Sequence, residues 1–158
     1  MTSLVGDVGI REQAARLITR LKGVSVARLL ISYLLFRQLT TAVGLMPIAG
    51  QPQTIRPIVA PMAEAAAAAQ DPDITDETRH AVRAMAAATD NVAVFFSEDI
   101  FVAMGSVLLM VGFLTSSKIV LDPIHLSVWA IPTALASFVV HSARLLLFDR
   151  RLRRAARP

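Results

Sequence analysis

The stretch PIHLSVWAIPTALASFVVHSARLLLF at residues 123–148 is the clearest candidate for a membrane-spanning helix. A helix needs about 20 apolar residues to cross the hydrocarbon core of a bilayer, and this stretch is longer than that. Trp129 lies near one end, as aromatic side chains do at membrane interfaces. The arginine-rich run DRRLRRAARP at residues 149–158 follows at once. The stretch therefore predicts a transmembrane helix followed by a basic cytoplasmic tail.

The composition of the whole chain agrees with a membrane setting. Hydrophobic residues make up 54% of the 158 residues and charged residues only 18%, against about 25% in soluble domains. Because cysteine is absent, disulfide scaffolds, thiol catalysis, cysteine-ligated zinc and iron–sulfur clusters are excluded. Aromatic residues, at 6%, are too few for a nucleic-acid stacking platform. We therefore expect a single all-α polytopic membrane domain that contacts lipid and does not bind nucleic acid.

The remaining segments are assigned by their hydropathy and charge. Residues 91–115 predict a second span, whose second half carries no charge. Residues 63–90 are more polar and predict a cytoplasmic connection in which Thr75 caps a helix that begins at Asp76. Residues 1–22 place apolar side chains on one helical face and predict an amphipathic helix at the membrane surface.

Residues 23–62 form the least regular segment. They begin with a short apolar run, pass through a Gly/Pro-rich centre at 44–53 that breaks any helix, and resume with apolar residues. The positive-inside rule places both flanks on the cytoplasmic side. We therefore predict a re-entrant helical hairpin whose tip is buried in protein or lines a wet cavity. Two short tilted spans are the alternative.

Polar side chains within the apolar segments mark candidate sites, because such residues are costly in lipid. The planar guanidinium of Arg56 suits a carboxylate, and glutamine amides suit an amide or lactam. The predicted substrate-binding residues are Gln51, Gln53, Thr54, Arg56, Gln38 and Thr41. The alternative is that Arg56 reaches the lipid headgroups and the glutamines cap a helix.

A second polar group stands at the head of the 91–115 segment. Hydroxyl, carboxamide and carboxylate oxygens are hard ligands of the kind that bind Na⁺ or relay protons. The predicted ion-coupling residues are Thr89, Asp90, Asn91, Glu98 and Asp99. Alternatively, Asp90 and Asn91 cap a helix, and the two acids that follow pair with Arg37 or Arg56. We expect no metal site and no cofactor other than the coupling ion.

Several short segments resemble a known family: QLTTAVG at 38–44, GQPQTIRP at 50–57, ATDNV at 88–92 and SEDIF at 97–101. In combination they resemble a bacterial inner-membrane family that is catalogued as a domain of unknown function and described as one subunit of a two-subunit 5-oxoproline (pyroglutamate) transporter. The resemblance runs from about Gly9 to Arg154. Family members carry further apolar spans before the position of Gly9, so the resemblance implies that this chain is shortened at its N-terminus.

The resemblance implies a secondary transporter subunit that takes up a small carboxylate, 5-oxoproline. Its implied partner is a second polytopic subunit, and uptake would be coupled to Na⁺ or H⁺ by alternating access. A non-transporting scaffold that stabilises a partner permease is the alternative. An intramembrane enzyme is not expected, because no nucleophile–base set is apparent, and His141 is interpreted as a packing residue.

Overall fold

The computed structural model describes residues 24–45, 51–101 and 104–156, with the backbone alone at 51–53. All regular elements in these ranges are helical, as predicted. They are α1 (Val26–Ala42), a π-helical segment (Gln51–Val59) that continues into α2 (Ala60–Ala68), α3 (Asp76–Phe95), a 3₁₀ turn (Glu98–Ile100), α4 (Gly105–Ser116) and α5 (Pro123–Ala155). The predicted amphipathic helix at 1–22 and the centre of the predicted hairpin at 46–50 lie outside the described residues.

Local side-chain contacts fix where the helices begin. Ser25 accepts a hydrogen bond from the Arg28 N–H at 3.3 Å and starts α1. Thr75 accepts one from the Thr78 N–H at 3.2 Å, which confirms the predicted cap of α3. Asp122 does the same for the Ile124 N–H at 3.0 Å and starts α5.

One glycine fixes how α1 ends. Gly44 has a φ of +81°, a conformation that side-chain-bearing residues rarely adopt. A Cβ at this position would stand 2.6 Å from the ring of Phe101. Glycine is therefore required both for the turn and for the close approach of Phe101 to the end of α1.

The predicted span at 91–115 is interrupted. α3 runs through Asn91 to Phe95, and α4 begins only at Gly105. The 3₁₀ turn lies between them, and Phe101, just after it, packs on Gly44. Residues 76–116 therefore form an interrupted helix whose break faces the end of α1.

Small side chains hold α1, α2, α3 and α5 together near the start of α1. Ala63 and Ala66 on α2 are fully buried, as are Val82 and Ala86 on α3. Small residues let helix backbones approach closely, which is a common way for helices to associate in lipid. The buried apolar cluster as a whole contains Val26, Ala27, Leu30, Tyr33, Ile55, Val59, Ala60, Ala63, Ala66, Ala67, Ile74, Val82, Ala86 and Leu145.

Asp149 ties three parts of the chain together at this end of the bundle. Its carboxylate accepts hydrogen bonds from the Ala27 N–H at 3.4 Å and from Gln70 Nε2 at 3.5 Å, and pairs with Arg153 at 2.9 Å. Because Gln70 follows α2 and Ala27 begins α1, the limbs on either side of residues 46–50 run in opposite directions. Antiparallel limbs are expected both for a re-entrant hairpin and for a pair of short spans.

The outer surface of α4 and α5 is apolar. Leu109, Phe113, Trp129 and Val140 are each exposed over 70% or more of their surface. Among the described residues, the segments Asp76–Ser116 and Pro123–Ala155 are long and apolar enough to cross a membrane. In the most apolar 18 residues of each segment, only 12% and 11% are buried inside the structure. Core helices of a soluble protein would instead be mostly buried. The fold is therefore that of a helical membrane-associated protein.

Candidate functional site

A group of buried polar side chains joins α1, α3 and α5, and we call it the interior polar group. Residues three or four positions apart share one face of a helix, as Tyr33, Arg37 and Thr41 do on α1, and Gln38 lies three positions before Thr41. Each member is at most 9% exposed. The interior polar group consists of Tyr33, Arg37, Gln38 and Thr41 from α1, Thr89 and Asp90 from α3, and Ser137 and His141 from α5.

An ion pair between α1 and α3 forms its centre. Arg37 Nε lies 2.8 Å from Asp90 Oδ1, and the two side chains are only 3% and 4% exposed. The Tyr33 hydroxyl donates to the same carboxylate oxygen at 2.8 Å. Charge-assisted hydrogen bonds are stronger than neutral ones, and a surrounding of low dielectric strengthens them further. Asp90 is thus held by two donors from adjacent turns of α1.

Gln38 connects α1 to α5. Its Nε2 donates to the Ala134 carbonyl at 3.2 Å and to Ser137 Oγ at 3.1 Å. Ser137 Oγ in turn donates to the Ala134 carbonyl at 2.8 Å. The amide of Gln38 therefore bonds to the middle of α5 rather than lining the helix surface.

Thr89 connects α3 to α5. Its hydroxyl donates to the Met85 carbonyl at 2.8 Å and lies 3.0 Å from His141 Nε2. A hydroxyl has one proton, so a Thr89 that donates to Met85 accepts from a protonated His141 Nε2, and the tautomer of the imidazole sets the direction of this bond. The packing role predicted for His141 thus includes a specific hydrogen bond.

The break between α3 and α4 lies beside the interior polar group. Ser97 is fully buried, whereas Glu98 and Asp99 are half-buried. Asp99 accepts a hydrogen bond from Ser106 Oγ at the start of α4. Polar side chains therefore accompany the interruption of this apolar helix, and the end of α1 covers it at Gly44.

The structure divides the predicted substrate residues into two places. Gln38 and Thr41 belong to the interior polar group. Thr54 is half-buried and Arg56 exposed, and both lie on the π-helical segment, whose backbone begins with Gln51 and includes Gln53. Within the described part of the chain, no acid pairs with Arg56.

The predicted ion-coupling residues are divided as well. Thr89 and Asp90 belong to the interior polar group, whereas Asn91 is exposed on α3. The alternative in which Asp90 and Asn91 cap a helix is wrong, because α3 runs through both residues. The described residues bring no three histidine, aspartate or glutamate side chains together as a metal site.

An ion pair to Arg37 was anticipated, with a different partner. The sequence suggested Glu98 or Asp99, and the structure gives Asp90. Tyr33 and Ser137 were not predicted. Tyr33 lies one turn before Arg37, and Ser137 lies one turn before His141 on the buried stripe of α5, so helical spacing from a known polar residue is a signal that finds both.

The comparisons with known proteins give a family and no activity. No curated protein and no solved structure matches this sequence. Residues 1–153 match the family described as "Protein of unknown function (DUF969)". Because the match covers nearly the whole sequence, this chain belongs to that family.

Proposed function

We propose that this chain is a membrane-embedded subunit of a secondary transporter for a small carboxylate, with 5-oxoproline as its substrate and Na⁺ or H⁺ as the coupling ion. A second polytopic subunit completes the transporter. The choice of 5-oxoproline and the second subunit rest on the resemblance of the 38–44, 50–57 and 88–101 segments, and the proposal of a transport site inside the bundle rests on the interior polar group.

The observation that carries the proposal is the buried Arg37–Asp90 pair inside helices whose outer surface is apolar. Placing one charged side chain at the centre of a bilayer costs about 2.5–3.5 kcal/mol on insertion scales, and such residues mostly mark transport pathways or pairs. Gln38 contacts Ala134 and Ser137, which flank the middle of the apolar stretch 123–148. Sites near the membrane midplane and beside interrupted helices are typical of secondary transporters.

The polar residues suit the chemistry of the substrate. 5-Oxoproline carries one carboxylate and one lactam, which offers an N–H donor and a C=O acceptor. The guanidinium fork of Arg56 matches the carboxylate, and the amides of Gln51 and Gln53 complement the lactam. Thr54, and Gln38 and Thr41 of the interior polar group, are the further members of the proposed substrate set.

The acidic residues suit a coupling cation. Asp90 and Thr89 lie within the bundle, while Glu98 and Asp99 lie at the break between α3 and α4. Asn91 stands next to Asp90 along α3. Carboxylate and hydroxyl oxygens bind Na⁺ or relay H⁺, so either ion can couple uptake to the membrane gradient.

The proposed location is the bacterial inner membrane, with the C-terminus in the cytoplasm. α5 has 33 residues, which at 1.5 Å per residue is about 50 Å, longer than the hydrocarbon core of about 30 Å. Its arginine-rich end therefore extends into water. Positive charge next to a span favours the cytoplasmic side.

Uptake of labelled 5-oxoproline by cells that express both subunits tests the proposal. We expect Arg56→Ala to reduce uptake to background without lowering the amount of protein in the membrane. Arg28→Ala is the matched control, because Arg28 is an exposed arginine at the start of α1. Wild-type uptake by Arg56→Ala at equal protein level would refute the role of Arg56, and no uptake by the wild-type pair would refute the substrate.

A non-transporting scaffold is the second candidate, and one observation favours it. Arg37 and Asp90 neutralise each other, and a neutral pair of this kind is sufficient to hold α1 against α3 without any role in transport. Replacing a buried ion pair by apolar residues of similar volume often preserves stability. If the chain is a scaffold, Arg37→Met/Asp90→Leu keeps both partner stability and uptake, whereas a transport role predicts that partner stability is kept and uptake is lost.

A further inference from the structure

Two buried hydroxyl groups near the break have no hydrogen-bond partner among the described residues. They are Thr41 Oγ1 on α1 and Ser97 Oγ just after α3. Thr41 is 1% exposed and Ser97 is 0% exposed. Burying a polar group without a partner is unfavourable, so each such group calls for an explanation, and a bound water or ion that satisfies it is one.

The register of α1 against α3 puts the two hydroxyls at similar levels along the bundle. α1 and α3 run in the same direction, with Tyr33 bonded to Asp90 and Gly44 packed on Phe101. Each of these pairs is separated by 57 positions in the sequence. The same offset places Thr41 opposite Glu98, which is adjacent to Ser97.

The surroundings of this level are electronegative. α1 ends at Ala42 and α3 ends at Phe95, so the carbonyl ends of two helices meet here, and helix C-termini carry partial negative charge. Glu98 and Asp99 add carboxylates at the same break. Arg37, one turn before Thr41, is neutralised by Asp90.

We propose that Na⁺ binds between the C-terminal ends of α1 and α3, with Thr41 Oγ1 and Ser97 Oγ among its ligands. Broken transporter helices coordinate Na⁺ with hard oxygens at such ends. Hydroxyl groups do not titrate near neutral pH, so this donor set selects a metal cation over H⁺. The helix ends disfavour an anion. The inference rests on the proposed function in giving this ion the role of coupling ion, and it moves Thr41 from the substrate set to the ion set.

Thermal unfolding of the full chain in detergent tests the site without requiring transport. The Tm is measured over a concentration series of NaCl, with KCl or choline chloride keeping the ionic strength constant. We expect a saturable rise in Tm that is specific to Na⁺, because a ligand that binds only the folded state stabilises it. Thr41→Val and Ser97→Ala should each raise the half-saturating Na⁺ concentration by about tenfold or more, since each removes an oxygen bound to a charge.

Two controls separate a lost ligand from a damaged fold. Thr40→Val keeps the Na⁺ response, because the Thr40 hydroxyl donates to the Arg37 carbonyl and is not part of the site. In choline chloride alone, Thr41→Val should be at least as stable as the wild type, because it removes an unpaired hydroxyl and keeps the shape of the side chain. A variant that binds Na⁺ poorly yet folds well is the result that supports the site.

Two outcomes would overturn the inference: a wild-type Tm that responds equally to all three salts, or an unchanged Na⁺ response in both variants. Failure of the transport proposal is distinguishable from these. A Na⁺-specific response that depends on Thr41 and Ser97, together with no 5-oxoproline uptake, leaves the ion site standing and removes the proposed substrate.

Discussion

Helix α3 contributes one residue to each of two ion pairs that lie in different surroundings. Arg83 pairs with Glu64 on α2, and their side chains are 44% and 14% exposed. Asp90, seven residues further along α3, pairs with Arg37 on α1, and both side chains are less than 5% exposed. Within about two turns, α3 thus runs from a solvent-exposed end to the buried interior of the bundle.

The two pairs use their carboxylate oxygens differently. Arg83 contacts both oxygens of Glu64, once through Nε and once through Nη2 at 2.8 Å. In the buried pair, Asp90 Oδ1 accepts from both Arg37 Nε and the Tyr33 hydroxyl. The buried pair should contribute more to the effect of a mutation on folding free energy, because water screens exposed charges and does not reach buried ones. The surroundings of an ion pair therefore set its importance for the fold.

Breaking the buried pair on one side should have the largest effect. Asp90→Leu leaves the Arg37 guanidinium buried without its counter-ion and should cost about 3–5 kcal/mol of folding free energy. Arg37→Met/Asp90→Leu removes both charges and should recover most of that loss. Unfolding of purified protein in mixed micelles measures both values. Equal losses in the single and double variants would show that water reaches Arg37 and Asp90. The difference in surroundings between this pair and Arg83–Glu64 would then disappear.

The solvent-exposed start of α3 is the part of the fold that the sequence predicts most closely. Thr75 and Asp76 carry a local signal, since a cap needs only a hydroxyl and the N–H three residues on. The apolar stretch at 123–148 is equally local, because its length alone indicates a span. Both signals depend on neighbours in sequence, and both agree with the helices found.

The break between α3 and α4 could not be predicted in this way. Residues 96–104 contain neither glycine nor proline, so no breaker residue marks the interruption. The break coincides instead with a tertiary contact, in which Phe101 packs on Gly44 at the end of α1. The glycines and prolines of residues 44–53 mark a helix-breaking region around Gly44, but nothing in the sequence pairs that region with Phe101.

The candidate site was predictable by residue type and not by partner. Arg37, Gln38 and Asp90 stand out as polar residues near apolar runs, and the structure buries all three. Which acid faces Arg37 depends on the register between α1 and α3, and hydropathy carries no information about register. Pairing with Glu98 or Asp99 was therefore as reasonable from the sequence as the observed pairing with Asp90.

The uncharged contact between Gln38 and α5 in the buried interior should have an intermediate effect. Gln38→Met removes the two hydrogen bonds from Gln38 Nε2 to α5 and should cost about 0.6–1.7 kcal/mol, from the average to the maximum for polar contacts between membrane helices. Ser137 keeps its bond to the Ala134 carbonyl, so no buried acceptor loses its only partner. Ser137→Ala, which removes one of the two acceptors, should cost less in the same unfolding assay. A larger loss in Ser137→Ala would place the main α1–α5 contact elsewhere.

The smallest effect should come from the exposed pair. Glu64→Gln removes one charge from the Arg83 contact and should cost about 0.2–1 kcal/mol, as exposed ion pairs do. The loss should shrink at 1 M NaCl, where the Debye length is about 3 Å. Arg83→Gln and the double variant complete a cycle that isolates the pair from other effects of each change. A loss as large as that of Asp90→Leu, and insensitive to salt, would mean that the start of α3 lies in lipid rather than in water, and the proposed cytoplasmic position of residues 63–90 would then be wrong.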